Sequence, residues 1–140
     1  MKIVVDTNRI IAALIKKGTS RDILFDENFE FRTPDYSITE IRKHKDKLIK
    51  KIKLTEEEFE LLLTLIFEYI IIVPQSEYDE FMSECKDFIS DPDDVPFLAL
   101  CLAGNAQGVW SHDHHFLEQN KFKIFTNIDL LKISGKQNSL

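Results

Sequence analysis

Four acidic residues stand where side chains of an α/β protein could do chemistry together. Asp6 follows the apolar run Ile3-Val4-Val5, and Asp113 follows Val109-Trp110-Ser111-His112. Asp94 opens the apolar stretch Pro96–Ala103, and Glu40 lies in the first turns of a helix expected after the second strand. Sites of parallel sheets form beyond the carboxyl ends of strands, so all four can be placed at one edge. Converging carboxylates repel and raise one another's pKa, a conflict that a divalent cation removes. Oxygen donors without Cys or well-spaced His ligands favour Mg²⁺ or Mn²⁺ over Zn²⁺. One or two such ions can hold a phosphate and activate water. Each acid also has a purely structural alternative. Asp6 can cap a helix, Glu40 can pair with Lys43 or His44, Asp94 can sit at a helix N-terminus with Asp91 and Asp93, and Asp113 can form a turn with His114 and His115.

These positions require strands and helices in alternation. Lys2–Val5, Phe29–Thr33, Ile70–Val73, Val109–Ser111 and Lys123–Thr126 are short apolar or alternating runs, predicted as strands. Helices are predicted over Asn8–Lys16, from a cap at Ser20, over Tyr36–Lys51, and after the capping-box sequence Thr55-Glu56-Glu57-Glu58. A further helix is expected from Ser76 and Asp79, with the stripe Tyr78, Phe81, Met82, Cys85, Phe88 and Ile89. Pro96–Ala103 and Ile128–Ile133 complete the set. Pro96 fits only a first helical turn, where its missing N–H is not needed. The expected architecture is a three-layer α/β/α sandwich around a mostly parallel sheet of about five strands, with residues 1–140 as a single domain.

Composition sets the limits of this reading. The chain has 140 residues, 44% of them hydrophobic, with 11 Phe, enough apolar mass to offset chain entropy. No apolar run approaches the roughly 20 residues of a membrane span, and Met1-Lys2 leads into the first strand without a cleavage signal. Two Cys form no disulfide framework, so the cytoplasm is the expected location. The net charge of −6 hides an asymmetry: Arg42, Lys43, Lys45, Lys47, Lys50, Lys51 and Lys53 are opposed only by Asp46. Such a patch can face an RNA backbone or simply be a solvated helix surface. The helix over Phe59–Ile70 carries more apolar residues than one face can hide, and a homodimer interface is expected there.

Ile3-Val4-Val5-Asp6-Thr7-Asn8 resembles the opening motif of PIN (PilT N-terminus) domains. Asp91–Ala103 resembles their third motif, Val109–Phe116 the fourth, and Thr39-Glu40-Ile41 falls where the looser second belongs. The resemblance spans nearly the whole chain. It implies an Mg²⁺- or Mn²⁺-dependent ribonuclease, similar to the toxin of VapBC-type toxin–antitoxin pairs, with a separate antitoxin polypeptide as partner. Asp6, Glu40, Asp94 and Asp113 would then be catalytic, with Asp6, Asp94 and Asp113 on the metal. Asn8 and Ser111 would orient the site by hydrogen bonds, with Asp91 and Asp93 as second choices for reaching the ion. Trp110 and the His112/His114/His115 cluster depart from the family pattern, as does Cys101. A PIN-like binding module without activity, for RNA or a protein, is the alternative. A phosphotransferase using Asp6 ranks last, because Asp6-Thr7-Asn8 lacks a second Asp.

Overall fold

The computed structural model describes residues 1–135. Five parallel strands run in the order β3-β2-β1-β4-β5: β1 Lys2–Val5, β2 Glu30–Pro34, β3 Ile70–Val73, β4 Gly108–Trp110 and β5 Lys123–Phe125. Strand β1 is central, with Val4 opposite Arg32 of β2 and opposite Val109 of β4. Alternation along β1 divides the core. Ile3 and Val5 join one apolar layer with Leu14, Phe31, Phe59 and Trp110, while Val4 joins the other with Tyr78, Leu98, Val109 and Phe116. The three-layer sandwich expected from the residues is the observed fold.

Helices α1 (Thr7–Ile15) and α2 (Thr19–Leu24) connect β1 to β2. Then α3 (Tyr36–Lys43), α4 (Lys45–Ile52) and α5 (Glu56–Phe67) connect β2 to β3. The capping box at Thr55 and Glu58 forms in full. A four-residue α6 (Met82–Cys85) and α7 (Val95–Ala103) lead to β4, and α8 (Asn127–Ser134) follows β5. Among the described residues no helix is long and apolar enough to cross a membrane.

Three local expectations are corrected. The single helix over Tyr36–Lys51 divides at His44, whose φ/ψ of −101/7 leaves the helical region. The apolar stripe jumps from Ile41 to Leu48, so no side chain at 44 or 45 pins a continuous helix to the core. The segment after Ser76 forms 3₁₀ turns at Gln75–Glu77 and Asp79–Phe81 before the short α6. Tyr78 and Phe81 are three apart, a spacing that serves a 3₁₀ turn equally well. The Tyr78 hydroxyl, donating to Asp35 Oδ1 at 2.6 Å, draws the segment into that tighter winding. Ser20 lies inside the first turn of α2, and Gly18 takes the cap position.

Gly108 is dictated by the approach of β5. A Cβ there would stand 2.3 Å from the Lys123 carbonyl oxygen and 2.7 Å from Phe125 Cε2. Gly108→Ala must push the edge strand away, and a loss of about 2 kcal/mol is expected in denaturant melts. Unchanged stability would show that β5 moves aside freely.

Candidate metal centre

Strand β1 sits where the sheet reverses direction: the chain leaves it toward β2 on one side and returns to β4 on the other. The crevice at the carboxyl ends of β1 and β4 is therefore the switch point at which α/β sheets bind ligands. Asp6 is the residue immediately beyond β1. Its backbone N–H continues the ladder to the Trp110 carbonyl at 3.0 Å, and it starts α1 without a side-chain capping bond. Its carboxylate instead accepts from the Ser111 hydroxyl at 2.7 Å. The same Ser111 oxygen accepts the Asp113 N–H at 2.9 Å, so one hydroxyl joins the first and last acids.

Glu40 comes from α3, on the other side of β1. It pairs with neither Lys43 nor His44; the Thr7 hydroxyl donates to its Oε1 at 2.5 Å. Asp94 precedes α7, again without a capping bond, and its Oδ2 is buried with no hydrogen-bond partner. Asp113 does form the turn anticipated for it: its Oδ1 accepts the His115 N–H at 2.9 Å. Asp6 and Asp94 are only 5% and 8% exposed.

This burial has an electrostatic cost. Removal from water, aided by the Asp113 charge, pushes Asp6 up to about 6 even though the Ser111 hydrogen bond pulls the other way. Burial, with the charges of Asp91, Asp113 and Asp6, pushes Asp94 up to about 7. Glu40 is raised too, chiefly by burial and then by the charges of Asp6, Asp93 and Asp91. The acids thus lie within one another's fields, with Asp6 common to all. The donor set is hard oxygen, and the orphaned Asp94 Oδ2 lacks a partner that the described protein supplies. Both features fit a divalent cation such as Mg²⁺ or Mn²⁺.

The polar surroundings differ from expectation. Asn8 is exposed and its side chain makes no hydrogen bond to another described residue; Thr7, buried, takes the orienting role toward Glu40. Helix α1 begins at Thr7, and a rotation of about 100° per residue turns Asn8 outward. Asp93 accepts the Tyr36 hydroxyl at 2.6 Å and ties its loop to α3, while Asp91 Oδ1 accepts the Asp93 N–H. His112 is structural: its Nε2 accepts the Asn127 N–H at the start of α8. The Asn127 side chain in turn accepts Trp110 Nε1–H at 2.8 Å and reaches Ser20, which accepts from Arg9. Arg9 is a half-buried cation whose charge favours ionised Asp6 and whose Nε has no partner. None of these long-range ties leaves a local pattern.

Part of the basic segment is already engaged. Arg42 pairs with Glu60, and Lys45 with Glu56 and Glu60 at 2.8 and 2.7 Å, clasping the helices before α5 onto it and holding Glu60 down to about 2. Lys43, Lys47, Lys50 and Lys51 remain exposed. On α5, Leu61 and Leu65 are exposed, as expected for a helix with too many apolar residues.

A parallel α/β/α sandwich with acids gathered at its switch point defines the class of this protein. The family model for the PIN domain matches residues 4–125, and the chain belongs to the PIN domain family. Among solved structures it is similar to a chain in the crystal structure of VapBC2 from Rickettsia felis bound to a DNA fragment from their promoter. The two are 18% identical with a TM-score of 0.67, over 90% of this chain and 98% of that one. No curated protein matches the sequence.

Raised carboxylates bind more protons folded than unfolded between about pH 4 and 7, so stability falls as pH rises through that window. In EDTA, the melting temperature should rise as pH is lowered from 7.5 to 5.5. Asp94→Asn should flatten that slope and stabilise the protein by about 1 kcal/mol at pH 7.5. A destabilised Asp94→Asn would assign the residue to structure alone.

Proposed function

We propose that the protein is a divalent-cation-dependent ribonuclease that hydrolyses RNA phosphodiester bonds, acting in the cytoplasm as the toxin of a toxin–antitoxin pair. The observation that carries this reading is the burial of Asp6 and Asp94 within reach of Glu40 and Asp113, one Asp94 oxygen left without a partner. Membership of the PIN domain family supports it. Asp6, Asp94 and Asp113 would hold Mg²⁺ or Mn²⁺, with Glu40 completing the shell. When bound, the cation supplies charge neutralisation at the scissile phosphate and a water of lowered pKa.

The remaining work belongs to the chain's own groups. Ser111 fixes the Asp6 carboxylate and, through the Asp113 N–H, the start of the loop that carries Asp113. Thr7 aims Glu40 and spends its hydroxyl proton on Oε1. Asp91 and Asp93 add negative potential at the crevice mouth, and Asp93 anchors Tyr36. Lys43, Lys47, Lys50 and Lys51 are the part of the basic segment free to follow an RNA backbone; Arg42 and Lys45 serve the clasp.

The similar solved structure is of VapBC2 with promoter DNA, which supports a cognate antitoxin as partner here. The exposed leucines of α5 support a homodimer.

Purified protein should cleave RNA with Mg²⁺ or Mn²⁺, leaving 5′-phosphate and 3′-hydroxyl ends, and should be silent in EDTA. Asp6→Asn and Asp94→Asn should each lose at least about 100-fold in rate while keeping their fold. Equal cleavage in EDTA would reject the reading. Metal binding without cleavage of any RNA tried would favour a binding module instead. Replacing Lys47, Lys50 and Lys51 by Gln should reduce the dependence of RNA affinity on log salt by about 2–3, whereas Arg42→Gln should act through stability. An unchanged salt slope in the triple variant would place the RNA elsewhere.

A further inference from the structure

The segment beyond β4 faces two ways. Ser111 and Asp113 belong to the crevice, joined through the Ser111 hydroxyl, whereas His112 between them lines a separate hollow with Thr126, Asn127 and Ile128. The Ser111 N–H still pairs with the Phe125 carbonyl at 3.1 Å, so the hollow lies directly beyond the carboxyl ends of β4 and β5. The end of β4 is the wall that crevice and hollow share. We infer that this hollow is a nucleobase subsite, in which one unpaired base of an RNA bound at the crevice stacks on the His112 imidazole beside Ile128. The inference rests on the nuclease reading and deepens it by naming where a base of the substrate is held.

The hollow encloses about 380 Å³, within the range of about 300–1,000 Å³ typical of small-ligand clefts, and its lining is mostly carbon. Helix α8 supplies much of that carbon. Its core residue is Leu130, fully buried; Ile128, two positions earlier, is turned about 200° away. Ile128 is 55% exposed and joins neither apolar layer.

His112 is set in place before any ligand arrives. Its Nε2 accepts the Asn127 N–H at 3.0 Å, and the Asn127 side chain is itself fixed by Trp110 and Ser20. The ring hydrogen therefore sits on Nδ1. Imidazole is one of the aromatic platforms on which single-stranded bases stack, and a platform already immobilised loses little further freedom on binding.

An anion is the poorer occupant, because donors at the start of α8 are spent. The Thr126 N–H goes to Asp129 Oδ2, the Asn127 N–H to His112 and the Asp129 N–H to Thr126 Oγ1. Positive charge comes instead from Arg9. It donates to Ser20, which also accepts from Asn127, and its charge acts on both Asp6 and His112. A cation felt in both places favours a phosphate backbone passing between them.

The test uses the full chain at pH 7.5 with Ca²⁺ in place of Mg²⁺. Two short single-stranded RNA oligomers share one sugar–phosphate backbone, one of mixed sequence and one abasic. In wild type, the Ile128 Cδ1 methyl resonance should move upfield with the mixed-sequence oligomer, under the ring current of a base, and stay in place with the abasic one. Ile128→Ser and His112→Asn should each weaken the mixed-sequence oligomer at least about fivefold and leave the abasic one within about twofold. His112→Phe, which keeps a ring and gives up the acceptor, should bind within about twofold of wild type. A merely structural His112 predicts the reverse order, since Asn can still accept from α8 and Phe cannot. Thermal melts check that each variant is folded. Wild-type affinity in both Ile128→Ser and His112→Asn, or an Ile128 methyl that responds alike to both oligomers, overturns the subsite while cleavage with Mg²⁺ stands. RNA neither bound nor cut by wild type removes the nuclease reading and the subsite with it.

Discussion

Two carboxylates buried close enough to feel each other set the terms for everything at the carboxyl edge of this sheet. Asp6 and Asp94 are nearly shut off from water, which raises the affinity of both for a proton, and the Asp6 charge raises that of Asp94 further. The structure answers with donors aimed at some oxygens and none at others. Ser111 steadies Asp6, Thr7 steadies Glu40, and the turn after β4 steadies Asp113. Among the buried side-chain oxygens of the described residues, Asp94 Oδ2 is the one left bare. A fold that merely tolerated these acids would have satisfied or exposed all of them. The proposed cation would supply the countercharge they lack.

The framework that concentrates them is ordinary. Short strands, buried on both faces, read as runs of Ile and Val, and helices must cover both faces: those after β1, β2 and β5 lie on one side, α6 and α7 on the other. The order β3-β2-β1-β4-β5 makes the first strand the hinge of the topology. Its next residue, Asp6, inherits a central position with no further design. The same order brings the end of β4 alongside, which is why residues 105 positions apart share a hydrogen bond.

Much of this was legible in the chain. The ends of β1 and β4 could be placed because apolar runs stop abruptly at polar residues, and α7 because Pro96 tolerates only an opening turn. Those three signals locate Asp6, Asp113 and Asp94; the helix expected after the second strand places Glu40, and the PIN resemblance puts it there too. What stayed hidden depends on helix phase and on packing between distant segments. Choosing Thr7 over Asn8 needed the first residue of α1 to within one position. The Tyr36–Asp93 bond, the Arg9–Ser20–Asn127 chain and the pairing of Arg42 and Lys45 with α5 join elements far apart in sequence. The basic run looked uniform because charge is countable and partners are not. The stripe after Ser76 misled for a different reason, since residues three apart satisfy two kinds of winding.

The Tyr36 hydroxyl reaches from the first turn of α3 to Asp93, a neighbour of Asp94. Glu40 stands one turn further along that same helix. A single phenol-to-carboxylate tether thus links the two banks from which acids enter the crevice. Any occupant wide enough to spread them strains that tether first. The gap's breadth is accordingly governed by an aromatic ring at its rim, while the groups inside set only its charge.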